Sequence, residues 1–251
     1  IVLHLDKGCA GAPQILYDEH DEARPWKLII HHSPGTPCHY FVRLATSPDG
    51  LHWRWEQEVE NAPYAKLHDR LTALLEPSNP EYPYVLLGRP AQSVLYPLVY
   101  PGRIRTREAY STRLSADGAA ILEDPYVALR PDLEDPTDVE FYHMSAFRYE
   151  SLYVGMIMIY KVADPPYSEV QLATSRDLRQ WERVRPRRKF LEPTLAKGRQ
   201  TGQYDSHGIQ PTLSPPIRHK NALLFYFYAG QGFHSDRYLD ADYRLGMAKL
   251  R

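Results

Sequence analysis

The sequence predicts an all-β fold made of four repeats, which is the organisation of a β-propeller. Residues 44–53 and 172–181 share the pattern Leu-Ala-Thr-Ser-x-Asp-x-x-x-Trp without a gap. A third Ser-x-Asp turn begins at Ser115, so that the three turns are 68 and 60 residues apart. Four short strands in a period of 60–70 residues are typical of a propeller blade rather than of a sandwich.

The composition also favours strands and turns. The chain has 19 Tyr and 22 Pro but only 4 Met in 251 residues, and no segment predicts a helix of four turns. The formal net charge is −1, so nothing indicates nucleic acid or a membrane surface as a partner. No run of about 18 apolar residues predicts a membrane span.

Two further features concern the compartment. Cys9 and Cys38 are too few for a disulfide scaffold, and we expect partly buried free thiols. The given sequence has no signal peptide and does not begin with Met, so we expect a soluble protein whose compartment stays open.

The elements follow the repeats in order, within one predicted domain. We place the repeats at about residues 6–60, 61–131, 132–190 and 191–251. The first strands of the repeats begin near residues 12, 69, 138 and 204. The apolar second strands lie at 26–30, 84–87, 152–160 and 222–228. The third strands lie at 40–46, 103–114, 170–177 and 243–250. Trp53 and Trp181 mark fourth strands, and Ile121 takes that place in the second repeat. Residues 1–5 alternate weakly between apolar and polar side chains, as the last strand of a further repeat would.

The Ser-x-Asp turn has a local physical role. Ser and Asp side chains accept hydrogen bonds from nearby backbone N–H groups and thereby fix a tight turn. The following Trp is expected to be buried against the neighbouring sheet. This segment is similar to the Asp box of sialidase propellers, one residue shorter, and we interpret it as a folding device rather than a site.

Three acids hold equivalent places in the repeats. Asp69, Asp138 and Asp205 each precede the apolar strand by 14–17 residues, and two positions later stand Leu71, Glu140 and His207. Residues i and i+2 of a strand point the same way, so these side chains should converge on one end of a central channel. Ala12 lies near this place in the first repeat and supplies no acid.

Paired carboxylates in a funnel are what glycoside hydrolysis requires, because one must donate a proton and the other must stay ionised. Arg89, Arg107, His143 and His234 could bind sugar hydroxyls or a carboxylate. Aromatic side chains for stacking on sugar rings are Trp26, Tyr142, Tyr204 and Phe233.

Structural roles compete with these assignments. Asp is common at the start of a strand because it caps turns. His207 fits a hydrogen-bonded core residue, a substrate contact or an ion ligand equally well, and His31 and His32 fit structural or rim residues. The basic segment 182–189 is read as a solvated loop rather than as a phosphate site.

The repeats resemble the five-bladed β-propeller glycoside hydrolases of families 43 and 32 and their uncharacterised relatives. The residues that carry the resemblance are 47–53, 138–142, 175–177 with Trp181, 204–207, and 226–230 with His234 and 244–248. It covers nearly the whole chain through loose motifs. Four repeats are visible where the family has five, so the chain is interpreted as a truncated propeller, a four-bladed variant, or a ring that a partner or a second copy completes.

The resemblance implies three acids from different blades: a base or nucleophile, an Asp that tunes a pKa, and a Glu general acid. Glu140 is the candidate general acid, and Asp69, Asp205 and Asp138 are candidates for the other roles. Some relatives hold calcium near a His of the last blade, which His207 would match, and no other cofactor is implied. We therefore expect a glycoside hydrolase acting on oligosaccharides, with a non-catalytic sugar-binding or assembly propeller and a glycoside phosphorylase as alternatives.

Overall fold

A computed structural model describes the chain at residues 9–33, 41–58, 61–63, 67–90, 94–95, 105–122, 124–162, 166–194, 204–231 and 243–251. These residues form nineteen β-strands and no α-helix. The chain divides into two compact units, Ile1–Ala91 with Tyr110–Val127 and Gln92–Ala109 with Ala128–Arg251. No helix in the described part of the chain has the length and apolar character needed to cross a membrane.

The first sheet belongs to unit 1 and confirms the four strands expected of the first repeat. It contains β1 (Cys9–Tyr17), β2 (Trp26–Ser33), β3 (Phe41–Ser47) and β4 (Arg54–Trp55), hydrogen-bonded in chain order. All three pairings are antiparallel. The charged turn between β1 and β2 is closed by the Asp18 N–H, which donates to the Pro25 carbonyl at 2.8 Å.

The second sheet differs from the expectation in its third strand. Its members are β5 (Leu67–Leu75), β6 (Tyr84–Pro90), β9 (Ala109–Leu114) and β10 (Tyr126–Leu129), in the order β10-β9-β6-β5, while β7 (Val94–Leu95) pairs with β8 (Arg105–Thr106). The strand predicted at 103–114 is therefore two strands. Only its second half pairs with β6, from Tyr110 opposite Gly88 onwards, because the first half pairs with β7 instead.

The third sheet, in unit 2, has three of the four antiparallel strands predicted within residues 138–181, and the fourth lies just beyond that range, at 182–183. It contains β11 (Val139–Tyr149), β12 (Leu152–Lys161) and β13 (Tyr167–Ser175), and β14 (Glu182–Arg183) and β15 (Lys189–Leu191) both pair with β13. Among the described strands β11 pairs with β12 alone, yet its residues from Val139 to Phe147 are buried. β14, at the other side, is exposed or half-buried. Burial of the first strand is what the repeat model predicts.

The fourth sheet is joined to the third by a single parallel pair, Ser168 with Gly208. It is formed by β16 (Gly208–Pro211), β17 (Ile217–His219), β18 (Ala222–Gly230) and β19 (Arg244–Leu250). β16 and β17 pair with different stretches of β18, and β19 pairs along nearly all of it. Apolar side chains of the first and second sheets pack together in unit 1, and those of the third and fourth sheets pack together in unit 2. Burial of such side chains contributes roughly 1.5–3 kcal/mol each. The cores are centred on Ile29, Leu44, Leu71, Leu86 and Leu114 in unit 1 and on Phe147, Met156, Val170, Ile209 and Phe225 in unit 2.

The first strand of three sheets carries a β-bulge near its beginning. The register shifts between Gly11 and Gln14 in β1, between His68 and Thr72 in β5, and between Phe141 and His143 in β11. The shifts in β1 and β5 include Ala12 and Asp69, whereas Asp138, which the sequence aligned with Asp69, precedes β11 and its shift. Bulges re-aim side chains and are enriched beside active sites, so the three first strands share an irregularity near the residues that the sequence assigned to the site.

The Ser-x-Asp turns have matching hydrogen bonds. The Gly50 and Leu178 N–H groups donate to Ser47 Oγ and Ser175 Oγ at 2.9 Å. His52 and Gln180 donate their N–H groups to the Oδ1 atoms of Asp49 and Asp177 at 2.8 Å. The indole N–H of Trp53 donates to the Gly50 carbonyl at 3.0 Å, and the indole N–H of Trp181 donates to the Leu178 carbonyl at 3.2 Å. The turn as a folding device is thus confirmed.

The two Trp residues of these turns differ in burial, which corrects the expectation that both are buried. Trp181 is 6% exposed, whereas Trp53 is half-buried. The Trp181 ring packs against Gly155, where an added Cβ would meet the ring at 2.9 Å. The missing side chain of Gly155 makes room for the indole of Trp181.

We expect Trp181→Ala to lower the free energy of unfolding by roughly 3–5 kcal/mol, since it leaves a large cavity in unit 2. Trp53→Ala, the matched substitution at a half-buried site, should cost about half as much or less. Denaturant titration of both variants measures the difference. Equal losses would contradict the packing described for Trp181.

A pH-dependent contribution is expected from Asp177. The Gln180 N–H, followed by the Arg179 N–H and the Ser175 hydroxyl, lowers its pKa below the ordinary value of 3.8, against a smaller opposing effect of burial. A lowered folded-state pKa gives stability that is present above pH 3.8 and is lost as the pH falls through the folded value.

Asp177→Ala should therefore destabilise the fold by about 1 kcal/mol at pH 7, since the site is exposed and screened. The difference between the two proteins should be smaller at pH 2 than at pH 7. Urea titrations at both pH values measure it, with Glu81→Ala, an exposed acid outside such turns, as the control. A difference that persists unchanged at low pH would show that the Asp177 charge is irrelevant.

Candidate functional site

The start of β11 places three of the predicted site residues on one face of the third sheet. Glu140 lies opposite Tyr160, and His143 lies opposite Met158. Tyr142 is the extra residue of the bulge, and it forms a buried cluster with Met158 and Tyr160. Cross-strand partners share a face, so the bulge directs Tyr142 to the same side as Glu140.

Arg107 joins this group from the segment that follows β8. Its guanidinium forms an ion pair with the Glu140 carboxylate through Nη1 and Oε2. The same guanidinium lies 4.9 Å from the centre of the Tyr142 ring. The Arg107 carbonyl also accepts a hydrogen bond from the Phe141 N–H at 3.1 Å. Both the backbone and the side chain of Arg107 are therefore held against β11.

Burial decides which of these groups can meet a solute. The Glu140 side chain is 10% exposed and that of Arg107 is 28% exposed. Tyr142 and His143 are 3% and 1% exposed, and the Tyr142 ring contacts Tyr160 edge-on with centroids 5.9 Å apart. Arg107 and, to a smaller extent, Glu140 are thus the side chains of this group that solvent can reach. Direct substrate contact by Tyr142 or His143 stays a prediction.

A second buried carboxylate, Glu108, was not found by sequence reasoning. Glu108 directly follows Arg107 and is fully buried. Its Oε1 lies 3.3 Å from Nε of Arg130. No repeat position marks this acid, and only its adjacency to Arg107 could have drawn attention to it.

Asp138, Asp205 and His207 lie in unit 2 close to strand ends. Asp138 directly precedes β11, and its carbonyl accepts the Val162 N–H at 3.0 Å. Asp205 precedes β16, and its Oδ1 accepts a hydrogen bond from the Thr194 hydroxyl at 2.6 Å.

His207 is 8% exposed, with Nδ1 2.9 Å from the Ser206 hydroxyl oxygen. In the part of the chain that the structure describes, no group of three or more His, Cys, Asp and Glu side chains is arranged to hold a metal ion. Calcium near His207 stays a prediction.

The remaining predicted residues lie elsewhere. Asp69 and Arg89 belong to unit 1, on β5 and β6. Arg89 is 9% exposed, and the Asp69 side chain is outside the described atoms, as are Phe233 and His234. Convergence of Asp69, Glu140 and Asp205 on one channel mouth therefore stays a prediction.

Three further assignments have structural outcomes. His31 and His32 are buried at 1% and 0% exposure, as structural residues would be. Trp26 packs edge-on against Tyr17, with ring centroids 4.9 Å apart, and covers Gly50. Tyr204 is half-buried in the turn before β16.

The basic segment after β14 is neutralised by acids. Arg183 Nη1 lies 2.6 Å from both carboxylate oxygens of Asp135. Arg185 forms a two-fold pair with Glu134 at 2.8 Å, and Arg187 pairs with Asp132. The Arg187 guanidinium lowers the pKa of Asp132. These arginines fasten the loop to residues 132–135, so they do not form an open phosphate site.

Comparison with known proteins identifies the fold. No protein-family model matches the chain, and a search of curated proteins found no match. Solved structures do match. An alpha-L-arabinofuranosidase from Podospora anserina in complex with cellotriose has a TM-score of 0.60 at 12% identity, over 98% of this chain and 74% of that one. A thermostable family-43 glycoside hydrolase gives 0.58 at 14%, over 96% and 72%.

The Bombyx mori GH32 beta-fructofuranosidase gives a TM-score of 0.60 at 15% identity, over 97% of this chain and 46% of that one. At these identities the likeness establishes the fold. The chain has the β-propeller fold of glycoside hydrolases of families 43 and 32, and the fold class predicted from the repeats is confirmed.

Proposed function

We propose that this protein is a glycoside hydrolase that acts on oligosaccharides with Glu140 as its general acid. The observation that carries the proposal is the bulged start of β11, where Glu140 is paired with Arg107. A bulged, buried first strand with a carboxylate two residues before the bulge is a costly arrangement for structure alone. The fold supports the same reaction class, because the matched structures named above are glycoside hydrolases.

The chemistry needs a proton donor and a second carboxylate. Glu140 would protonate the leaving glycosidic oxygen, and a second acid would activate water or attack the sugar. Asp69, Asp205 and Asp138 are the candidates for that second role. An acid–base separation of roughly 6.5–9.5 Å would give inversion, and one of about 5–5.5 Å would give retention.

Arg107 would position the Glu140 carboxyl group. It holds Oε2 while the Tyr142 ring supports the guanidinium from below. The other oxygen of Glu140 then has a fixed orientation towards a bound substrate, which lowers the entropic cost of reaching a reactive geometry. With its side chain partly exposed, Arg107 could also bind a sugar hydroxyl.

A non-catalytic sugar-binding propeller is the second candidate. The observation that favours it is that Glu140 and Asp205 both have protein partners, Arg107 and the Thr194 hydroxyl. Carboxylates held in this way can serve the fold alone. A glycoside phosphorylase has less support, because the Arg107 guanidinium is already paired with a carboxylate.

Glu140→Gln should reduce turnover of unactivated oligosaccharides by about 10²–10⁴-fold, since the amide keeps the shape but donates no acid proton. The effect should be smaller for aryl glycosides, whose leaving groups need little protonation. Assays use arabinofuranosides, arabinan and fructofuranosides. Glu182→Gln, on the exposed strand β14, is the matched control. A wild-type chain that binds these sugars calorimetrically without turnover would support the binding propeller instead.

The role of the Asp205 carboxylate in turnover can be tested separately from its hydrogen bond with the Thr194 hydroxyl. If Asp205 supplies the second carboxylate, Asp205→Asn should lower turnover by about 10²-fold or more. Thr194→Val removes only the hydroxyl that donates to Asp205, so it should lower stability by about 1 kcal/mol and leave turnover within a few-fold. Equal activity losses in both variants would assign Asp205 a structural role.

A further inference from the structure

A cleft of about 230 Å³ lies in unit 2 between the β17–β18 hairpin, the end of β19 and the end of β11. Its lining includes Arg218, Lys220, Arg251 and Tyr149. No acidic side chain lines it among the described residues. Neither the candidate active site nor the repeat motifs involve any of these residues.

The sheet register brings the cations together. Arg218 pairs with Leu223 on β18, and Leu223 pairs with Leu250 on β19. Lys220 stands in the hairpin turn with a left-handed backbone, φ 54°, and Arg251 follows the end of β19. Residues that are about 30 positions apart in sequence therefore surround one cleft.

The side chains of Arg218, Lys220 and Arg251 have no acidic partner among the residues that the structure describes. None of them forms an ion pair or a side-chain hydrogen bond within the described ranges, unlike Arg183, whose guanidinium is paired with Asp135. Glu150, in the turn after Tyr149, does not line the cleft. Cations gathered around a concave surface repel one another and attract an anion.

Tyr149 adds an aromatic surface to the cleft. It is 39% exposed, at the end of an otherwise buried strand. An aromatic ring can pack against the C–H face of a sugar, and guanidinium groups bind carboxylate and sulfate through two hydrogen bonds. The combination fits a sugar that carries an acidic group better than it fits a free inorganic anion.

We propose that this cleft binds an acidic oligosaccharide, with its carboxylate or sulfate groups on Arg218, Lys220 and Arg251 and a sugar ring against Tyr149. The cleft and the candidate active site lie at opposite ends of β11. Glu140 and Tyr149 are nine steps apart along β11, which is roughly 30 Å in an extended strand. Binding here is thus independent of turnover at Glu140.

The direct test is calorimetric titration of the chain at about 50 mM salt, where surface charge is little screened. The probes are a galacturonic acid hexasaccharide, sulfated cellohexaose, neutral cellohexaose and sodium sulfate. Both acidic sugars should bind at least about tenfold more tightly than neutral cellohexaose and sodium sulfate. No binding of either acidic sugar, or equally tight binding of neutral cellohexaose or sodium sulfate, would overturn the proposal.

Variants locate the binding. Arg218→Gln/Lys220→Asn should weaken binding of the acidic sugars by about tenfold, as two exposed ion pairs would. Asn suits the left-handed backbone of residue 220. The control Arg176→Gln/Arg188→Gln removes two exposed cations from another part of unit 2 and should change affinity by less than about twofold.

Tyr149→Ser tests the contact with the sugar ring separately from the contacts with its charged groups. It should weaken binding of both acidic sugars several-fold and leave the response to sodium sulfate unchanged. Thermal melts confirm that each variant is folded. If the control pair loses as much affinity as the cleft pair, or if Tyr149→Ser has no effect on the sugars, binding follows net charge and the proposed site is wrong.

Discussion

A buried strand that has a neighbour on one side only must satisfy its polar groups without a second ladder, and this constraint shapes the third sheet. Among the strands that the structure describes, β11 is such a strand. An unpaired buried N–H or C=O costs about 1–3 kcal/mol. At Phe141 the need is met by the Arg107 carbonyl, at 3.1 Å. The same residue then reaches Glu140 with its guanidinium, so the contact that completes the edge also assembles the candidate site.

The Ser-x-Asp turns act at the other end of the sheets. Each turn ties its own backbone with the same pair of side chains, and it accepts the indole N–H of the following Trp where one is present. Leu178 even adopts a left-handed backbone, φ 61°, as a fully buried residue. The strain is tolerated because burial of the side chain offsets it. These turns fix one end of their sheets, and they place no constraint on the side chains at the opposite end, where the first strands carry bulges.

Charge is distributed differently in the two proposed sites of unit 2. At β11 the Glu140 carboxylate has one cation, Arg107, held by backbone and ring contacts. Around the cleft at the β17–β18 hairpin and the end of β19, three cations have no acidic partner among the described residues. The first arrangement holds one carboxyl group in place and suits chemistry on a substrate. The second leaves positive charges that an anionic ligand can compensate.

The sequence by itself determined the features that depend on local spacing. Period-2 alternation and the recurring Ser-x-Asp turns predicted the sheets, the repeat equivalence and the buried strand that carries Glu140. The split of the strand predicted at 103–114, the pairing of Arg107 with Glu140, the burial of Glu108 and the cleft around Arg218 were decided by tertiary structure. The physical reason is that each depends on which distant strands pair and in which register, and a one-residue change of register would redirect every one of these side chains.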